Sequence, residues 1–403
     1  MRPPIAMSVI ITNAKNRIAY NVVRSLGQKG IELYTADFVP GSMSFASRYS
    51  KGHFLYPSPF RDPESFVQRL IDEIQRLRVE VLIPVFEETF LVAKHADRLS
   101  ECVSMVLPDY EKILIAHNKD RWAQIARKLD IPVPASYSIE ELQMGAVSAT
   151  DLRYPVLVKP KQGGGAWGIQ QIESSEALRI LLSCCDCNGM PWSRFFVQER
   201  ISGETHCVAM LLSHGQIRAK VAYKQLRDYP VTGGQATMRV SMRSYKAEAY
   251  LQQLLENLNW HGVCQADFVV DKHTEVPYLI DLNPRLWGSL VQGIASGVDF
   301  PYLIYCLARE GDITPVTEFK TGVVTRWIGG ELGAFFPHFK RSPARWKFLR
   351  TFLFPPTRVT LYDDFSMADP LPFFAWLTDA LLKAVKFRSL KAVSHESLEG
   401  IWE

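Results

Sequence analysis

The first hundred residues alternate between two hydrophobic patterns, and this alternation limits the folds open to the chain more than any other feature. Short apolar runs predict four strands, at residues 8–12, 31–36, 79–85 and 103–107. Apolar residues at helical spacing predict helices between them, at 17–26, from Asp62 onward and around 88–99. Such alternation is typical of a parallel, doubly wound sheet, so residues 1–115 are predicted to form an α/β domain.

The pattern changes near residue 115 to mostly strands with few helices. A helix at 118–129 is followed by five predicted strands, at 155–159, 168–172, 195–199, 206–212 and 217–223. A helix at 247–258 then precedes two more strands, at 264–270 and 277–283. This order predicts an α+β body over residues 116–313, with a small lid subdomain at about 150–212, and an aromatic-rich C-terminal extension over 314–403.

Composition excludes several classes of protein. Hydrophobic residues make up 47% of the 403, enough to bury real cores, which excludes a disordered or collagen-like chain. The net charge of +4 is weak for a dedicated nucleic-acid binder, so no nucleic-acid partner is expected. No apolar run approaches the roughly 18 residues of a membrane span. The seven cysteines are odd in number and scattered, so we expect a cytoplasmic protein without a disulfide framework.

A glycine-rich run follows the strand predicted at 155–159. The run Gly163-Gly164-Gly165-Ala166-Trp167-Gly168 fits G-x-G-x-x-G, but a dinucleotide-binding loop must open a helix and residues 169–172 have a strand pattern. The run therefore predicts a flap between two strands whose N–H groups lie over phosphates, with a plain structural turn as the alternative. Lys159, at the end of the preceding strand, would reach phosphate oxygens; its alternative role is a solvated strand tip.

The strands at 264–270 and 277–283 predict a hairpin that turns near Thr274. That turn places Asp267 opposite Asp281 at roughly 5 Å, with Asn283 on the same face. Facing carboxylates repel each other unless a cation lies between them, and these oxygen ligands suit Mg²⁺ carrying nucleotide phosphates. Arg285 follows the hairpin and can neutralise a phosphoryl or acyl-phosphate charge. A hairpin with polar outward positions is the alternative.

Taken in chain order, these motifs resemble the ATP-grasp superfamily, and most closely its biotin carboxylase and carbamoyl phosphate synthetase large-subunit type. The series also includes a helix start at Asn118-Lys119-Asp120 and the segment Val197-Gln198-Glu199-Arg200-Ile201-Ser202-Gly203-Glu204. The resemblance covers roughly residues 1–310 and implies an α/β domain followed by two α+β subdomains that grip ATP. Two positions depart from the family pattern: residue 267 is Asp where many relatives have Glu, and Trp167 in the flap is bulkier than the usual small or polar residue.

The resemblance also implies ATP and Mg²⁺ as cofactors, with Mn²⁺ as the alternative ion, and individual residue roles. It implies phosphate contacts for Lys119 and Lys159, and a flap closing over the phosphates for Gly163, Gly164, Gly165 and Gly168. It implies an adenine-reading hinge at Gln198, Glu199, Arg200 and Ile201, and a ribose contact for Glu204. It implies metal ligation by Asp267, Asp281 and Asn283, and catalytic roles for Arg285 and Lys159.

The activity implied by the resemblance is an ATP-dependent ligase. ATP phosphorylates a carboxylate to an acyl phosphate, and an amine then displaces phosphate to give an amide or peptide bond. Residues that bind the small-molecule carboxylate and amine are expected in the 229–239 loop and at Trp287-Gly288-Ser289. A nucleotide-binding regulatory protein without turnover and an ATP-dependent phosphotransferase are the alternatives. By analogy with relatives, the first domain is expected to support a homodimer.

The C-terminal extension contains a segment in which positive charge is concentrated. Residues 332–362 contain six basic and no acidic residues, interspersed with aromatics, and 373–385 has the pattern of an amphipathic helix. Two interpretations remain open. One is a cap packed on the ATP domain; the other is contact with anionic lipid through residues 332–386, which would make the protein membrane-peripheral.

Overall fold

The computed structural model describes residues 8–161, 168–184, 187, 191–229, 234–341, 345–353 and 359–387. Its first part contains a four-stranded, all-parallel sheet with the strand order β3-β2-β1-β4. The strands are β1 (Ser8–Ile11), β2 (Glu32–Asp37), β3 (Ser50–Leu55) and β4 (Val81–Ile83). The prediction of a parallel α/β domain is therefore confirmed.

Helices cover both faces of this sheet. They are α1 (Arg17–Gly27), α2 (Pro63–Leu77), α3 (Glu88–Lys94) and α4 (Ala96–Ser100). Val9 and Ile11 belong to the core that contains α1, whereas Ile10 between them belongs to the core that contains α2. Because alternate strand residues point to opposite faces, a strand buried on both faces needs an uninterrupted apolar run, and β1 has one.

Three details of this region differ from the sequence-based expectations. The prediction of a strand at 103–107 is wrong: Ser104 makes only an isolated parallel bridge to Val81. The helix expected around 88–99 is two helices, because the backbone at His95 leaves helical geometry (φ −109°, ψ 24°). Strand β3 was not predicted, since it is a mostly exposed, polar edge strand without an apolar run.

A pair of helices and a small sheet follow. The helices are α5 (Tyr110–His117) and α6 (Lys119–Lys128). The antiparallel sheet, in the order β5-β8-β6-β7, contains β5 (Ser136–Ser138), β6 (Val156–Pro160), β7 (Gln170–Ile172) and β8 (Phe195–Glu199). Two short helices accompany it, α7 (Ile139–Gln143) and α8 (Ser175–Leu182). This sheet carries Lys159 and Gln198 on neighbouring strands.

A seven-stranded sheet with the order β13-β12-β9-β10-β11-β14-β15 forms the main body. Its strands are β9 (Gly203–Ser213), β10 (Gln216–Tyr229), β11 (Gln235–Ser241), β12 (Gly262–Asp271), β13 (Pro277–Asn283), β14 (Val324–Arg326) and β15 (Val359–Tyr362). The helices are α9 (Tyr245–Asn257), α10 (Leu290–Ala295), α11 (Phe300–Glu310), α12 (Ile328–Arg341), α13 (Arg345–Leu353) and α14 (Leu371–Phe387). The last two strands of the sheet thus come from the C-terminal region.

The segment before α14 returns to the N-terminal domain. Asp369 accepts hydrogen bonds from the Ser47 hydroxyl at 2.5 Å and the Arg48 backbone N–H at 3.0 Å. The Tyr20 hydroxyl donates to the Asp369 carbonyl at 2.8 Å. These contacts pack the segment on the N-terminal domain, whereas the cap predicted from the sequence packs on the ATP domain, whose large sheet takes β14 and β15 from the C-terminal region. Within the described ranges, none of the helices has the length and apolar character needed to cross a bilayer.

Candidate functional site

The hairpin of β12 and β13 places Asp267 directly opposite Asp281, as the sequence predicts. A register shift immediately follows this pair, between Asp267 and Phe268. Gln265 lies opposite Asn283; its amide nitrogen donates to Asp267 Oδ1 at 2.7 Å and its amide oxygen accepts from Asn283 Nδ2 at 2.8 Å. Gln265 therefore links two of the three predicted metal ligands and orients both side chains.

Neighbouring positive charge balances the two facing carboxylates only in part. Burial, and then the negative charge of Asp281, raise the pKa of Asp267 to about 6. Lys119 offsets part of this effect; its Nζ lies 3.1 Å from Asp281 Oδ1. A site that raises the pKa of a carboxyl group in this way has room, electrostatically, for a further cation.

The two predicted phosphate-contacting lysines approach the hairpin from different elements. Lys119 is the first residue of α6, whose start is capped by the Asn118 side chain and tied to the small sheet by a Lys119 N–H to Lys161 carbonyl bond of 3.1 Å. Lys159 is buried at the end of β6, where its Nζ donates to Gln198 Oε1 at 2.8 Å. Burial, and then Lys119, lower the pKa of Lys159 to about 8, opposed by Asp281.

The predicted hinge residues lie partly within β8 and partly just after it. Gln198 is buried and also donates to the Ser136 hydroxyl at 3.0 Å, so it fixes the Lys159 ammonium group between two strands. The backbone N–H groups of Glu199 and Arg200 donate to the carbonyls of residues 135 and 155. Ile201 follows outside the strand.

The other residues predicted to contact the nucleotide lie at the edge of the cleft or outside the described residues. Glu204 is exposed and pairs with Lys224 at 3.2 Å. Of the flap glycines, Gly168 has a left-handed backbone (φ +73°), which glycine adopts without strain. Gly163, Gly164 and Gly165 lie outside the described residues.

Arg285 extends from the end of the hairpin toward the N-terminal domain. Its Nη2 lies 3.1 Å from Glu87 Oε1, its Nη1 donates to the Leu286 carbonyl, and its guanidinium carbon is 4.2 Å from the Phe86 ring centroid. Both members of the Arg285–Glu87 pair are 9% exposed. The catalytic arginine expected from the sequence is therefore held by a carboxylate that the sequence reasoning did not single out.

The two segments expected to contact the acceptor substrate meet at Arg17, the first residue of α1. Arg17 Nη2 donates to Gln235 Oε1 at 2.9 Å and to the Gly288 carbonyl at 3.2 Å. A Cβ at Gly288 would lie 2.8 Å from Arg17 Nη2, so a larger residue there would displace the tip of the Arg17 side chain. The Arg17 guanidinium also stacks at 3.7 Å on the Trp327 ring. Residues 230–233 of the predicted loop lie outside the described residues.

Sequence reasoning missed Glu87, Gln265, Arg17 and Trp327. Glu87 had the clearest signal, because it follows a parallel strand of the first domain at the carboxyl edge, where open α/β sheets bind ligands. Gln265 had a second signal, since it lies two residues before Asp267 and therefore on the same strand face. Arg17 and Trp327 come from distant parts of the chain, and no spacing rule connects them to the site.

The donor set fits a hard divalent cation. Asp267, Asp281 and Asn283 supply oxygens on one wall, which are the ligands that such a cation prefers. In the described part of the chain no group of three His, Cys, Asp or Glu side chains forms a metal cluster. A cation held here would therefore need further oxygens from a ligand such as nucleotide phosphates.

Comparison with known proteins agrees with this geometry. Residues 116–289 match the model of the ATP-grasp domain family. Urea amidolyase of Saccharomyces cerevisiae is 24% identical over 239 residues, which are 55% of this chain and 13% of the yeast protein. The chain therefore spans only a small part of the length of such curated relatives.

Solved structures give the fold over most of the chain. The biotin carboxylase domain of 2-oxoglutarate carboxylase from Hydrogenobacter thermophilus, solved as a dimer, has a TM-score of 0.62 at 14% identity, covering 80% of this chain and 74% of that one. L-amino acid ligase from Bacillus licheniformis has a TM-score of 0.57 at 14% identity, covering 77% and 78%. Residues 116–289 therefore form an ATP-grasp domain, and the chain has the ATP-grasp fold that these carboxylases and ligases share.

Proposed function

We propose that this protein is an ATP-dependent carboxylate–amine ligase that activates a small-molecule carboxylate as an acyl phosphate and joins it to an amine. The observation that carries the proposal is the convergence of two opposed carboxylates, two lysines and Arg285 on one cleft. This is a set of charges suited to phosphoryl transfer, where positioning and charge neutralisation supply most of the rate enhancement.

Each side chain of the cleft has a defined task in this proposal. Lys159, fixed by Gln198, contacts the phosphate oxygens of ATP. Lys119 pairs with Asp281 and would also contact the phosphates of bound ATP. Asp267, Asp281 and Asn283 would hold Mg²⁺, or Mn²⁺ as the alternative ion, and the bound ion would neutralise and orient the phosphates. Arg285 stabilises the negative charge of the phosphoryl group as it is transferred.

The nucleoside end of ATP is assigned to the hinge. The N–H groups of Glu199 and Arg200 are already used by backbone carbonyls, which leaves the Ile201 N–H as the hinge amide for adenine. Glu204, on the exposed side of the cleft, is assigned to the ribose hydroxyls, and the glycine flap that ends at Gly168 is assigned to the phosphates from above.

The experiment is an ADP-release assay with Mg-ATP over a matrix of acids and amines. Each standard amino acid is offered alone, in pairs and with hydroxylamine, after a thermal-shift screen with a non-hydrolysable ATP analogue has selected the acids that bind. The expected result is ADP release that requires both an acid and an amine, with one amide formed per ADP by mass spectrometry.

Two other results would overturn the proposal. ADP release that yields a stable phosphorylated product would identify a phosphotransferase. Tight binding of ATP without ADP release under any pairing would identify a regulatory nucleotide-binding protein. The unreactive analogue separates failure to bind ATP from failure to turn it over.

We also propose that the C-terminal helices contact an anionic lipid surface. Trp346 on α13 is 83% exposed, between the exposed Arg345 and Arg350. Helix α14 exposes Leu371, Phe374 and Leu381, which share one helical face because they are three and seven residues apart. Exposed apolar side chains beside basic residues fit insertion at the headgroup level of a membrane.

Vesicle sedimentation tests the lipid contact. The protein should pellet with vesicles containing phosphatidylserine and remain in solution with phosphatidylcholine alone. The Trp346→Ala variant should reduce pelleting severalfold, whereas Tyr245→Ala, which removes an exposed aromatic side chain at the start of α9, should not. Equal pelleting with both vesicle types would count against the proposal.

A homodimer formed through the first domain is the third part of the proposal, and its support is the dimeric biotin carboxylase domain of similar fold. Light scattering coupled to size exclusion should give twice the chain mass of 45.8 kDa. A mass that stays at one chain across a hundredfold range of concentration would refute it.

A further inference from the structure

Glu87 lies where the first domain meets the nucleotide cleft, and its neighbour Glu88 fixes its position. The fully buried Glu88 carboxylate accepts hydrogen bonds from Thr12 Oγ1 at 2.5 Å, Asn13 Nδ2 at 3.0 Å and the Val85 N–H at 2.9 Å. These bonds join the loops that follow β1 and β4. Glu87 is therefore carried by a rigid turn at the carboxyl edge of a parallel sheet, where open α/β sheets bind their ligands.

The two carboxylate oxygens of Glu87 have different surroundings. Oε1 lies 3.1 Å from Arg285 Nη2. Oε2 is buried and has no hydrogen-bond partner within the part of the chain that the structure describes. Burying a charged oxygen without a donor is costly, so this atom marks a position where a donor is missing.

The charges around Glu87 show that it belongs to the same cleft as the metal hairpin. Burial is the main cause that raises the pKa of Glu87; the positive charge of Arg285 opposes it, and the negative charges of Glu88 and Asp281 add to it. Arg285 is thus the cation that most lowers the pKa of Glu87. If an anionic group of the substrate binds Arg285, less of the arginine's positive charge remains to offset the negative charge of Glu87.

The second substrate of the proposed ligase would restore this balance. An aliphatic amine is mostly protonated at neutral pH, since its pKa is near that of lysine, about 10.4. We propose that Glu87 Oε2 is the binding site for the ammonium group of the acceptor amine, and that it takes the proton that the amine must lose before it attacks. This inference rests on the proposed ligase function and assigns the acceptor class, a cationic primary or secondary amine.

The step balances in atoms and charge. One proton passes from the ammonium nitrogen to Glu87 Oε2, and the freed lone pair attacks the acyl carbon. The bond between that carbon and the phosphate oxygen then breaks, and inorganic phosphate leaves. A second N–H proton leaves with the phosphate, which gives a neutral amide and a protonated Glu87 that returns its proton to solvent. Arg285 holds the phosphate throughout, so both members of the resting ion pair acquire substrate partners.

The experiment compares wild type, Glu87→Gln, Glu87→Asp and the matched control Glu101→Gln, an exposed glutamate of the same domain. Two acceptors are used with the acid that supports ADP release: the cationic amine identified in the matrix and hydroxylamine, which is uncharged at neutral pH. Exchange of ¹⁸O between the bridge and non-bridge positions of ATP, measured without any amine, reports acyl-phosphate formation alone.

For Glu87→Gln we expect kcat/KM for the cationic amine to fall about 100-fold, while hydroxamate formation and ¹⁸O exchange stay within threefold of wild type. Glu87→Asp should recover part of the loss, because it restores the carboxylate, and Glu101→Gln should match wild type. In wild type, kcat/KM for the amine should fall at acid pH as Glu87 is protonated, and the charges of Arg285, Glu88 and Asp281 set where this happens. In Glu87→Gln this acid limb should disappear.

The contrary outcomes are distinct. If Glu87→Gln uses the cationic amine as well as wild type does, the ammonium site is refuted and the ligase function stands. If ¹⁸O exchange and hydroxamate formation fall together with amine use, Glu87 acts only by positioning Arg285, which also refutes the ammonium site. If wild type itself shows no release of ADP that depends on acid and amine, the ligase proposal fails, and this inference with it.

Discussion

Two clusters of buried charge, one at the C-terminal junction and one in the nucleotide cleft, differ in how completely the protein satisfies them. At the junction, the side chains of Arg239 and Asp363 are both fully buried and form an ion pair. Arg239 also donates to Thr325 Oγ1 at 2.9 Å and to the Ala236 carbonyl at 3.0 Å. Each nitrogen of this guanidinium group therefore has an acceptor in the chain itself.

The cleft is the opposite case. Asp267 faces another carboxylate, which adds to the effect of burial in raising its pKa to about 6. Lys159 is buried, its hydrogen-bond partner among the described residues is the neutral amide of Gln198, and burial lowers its pKa to about 8. Charges that are desolvated but left partly uncompensated are typical of functional sites. The Arg239–Asp363 pair therefore stabilises the fold, whereas the charged residues of the cleft are arranged to interact with the charges of a bound ligand.

Removal of one cleft carboxylate should have the largest effect. Asp281→Asn should lower Mg-ATP turnover on the order of 10³-fold. The metal ion that would neutralise the phosphates in the transition state loses a carboxylate ligand. The thermal midpoint should change little, since the substitution removes both the repulsion with Asp267 and the ion pair with Lys119. The measurements are ADP release and a melting curve, with Asp271→Asn at the exposed end of the same hairpin as control. Unchanged turnover would remove the metal site.

Breaking the junction pair should have the converse effect. Asp363→Asn leaves the Arg239 charge buried without its carboxylate, which should cost about 3 kcal/mol of stability and lower the melting temperature by about 5 °C or more. The KM of the folded protein for ATP should stay within about twofold, because the cations that pair with Asp363 are Arg239 and Arg17. The Arg218–Asp312 pair supplies the control, since Asp312 is exposed and Asp312→Asn should leave the melting temperature nearly unchanged. A large loss of turnover without loss of stability would contradict the division between the clusters.

The lowered pKa of Lys159 should be visible in the pH dependence. Because ATP binding needs the charged ammonium group, kcat/KM for ATP, which reports the free enzyme, should fall as pH rises through about 8. The limiting slope should be about tenfold per pH unit. In Lys159→Arg that limb should be absent, because arginine stays charged throughout the range. A limb at the same pH in both proteins would assign it to another group.

The smallest effect is expected at the edge of the cleft. Glu204 is exposed and paired with Lys224, so its contacts are screened by solvent. Glu204→Gln should raise KM for ATP by no more than about threefold and leave kcat unchanged, because a single ribose contact at an exposed position is weak. Steady-state kinetics test this, with Glu318→Gln, which lies at another exposed ion pair, as the control. A tenfold or greater loss would show that Glu204 is buried by bound nucleotide.

Much of the fold could be predicted because the relevant patterns are local. The apolar run of β1, the Asp62 cap of α2 and the hairpin that pairs Asp267 with Asp281 depend on neighbours within about twenty residues. The missed elements lack such a local signal. Strand β3 is polar on its exposed positions, and β11 buries Arg239 in place of an apolar residue. No periodicity rule anticipates a buried arginine whose carboxylate partner lies 124 residues away.

The sequence by itself determined the charged side chains of the cleft, their order and the register of the metal hairpin, because strand alternation converts spacing directly into facing pairs. Only the tertiary structure decided which groups those side chains contact. Glu87 meets Arg285 across 198 residues, and Arg17 joins Gln235 to Gly288 from the start of α1. These contacts depend on how the first domain docks onto the large sheet. Docking is set by many weak apolar contacts, such as those that α1 and Trp287 share in one core, and no short motif encodes their sum.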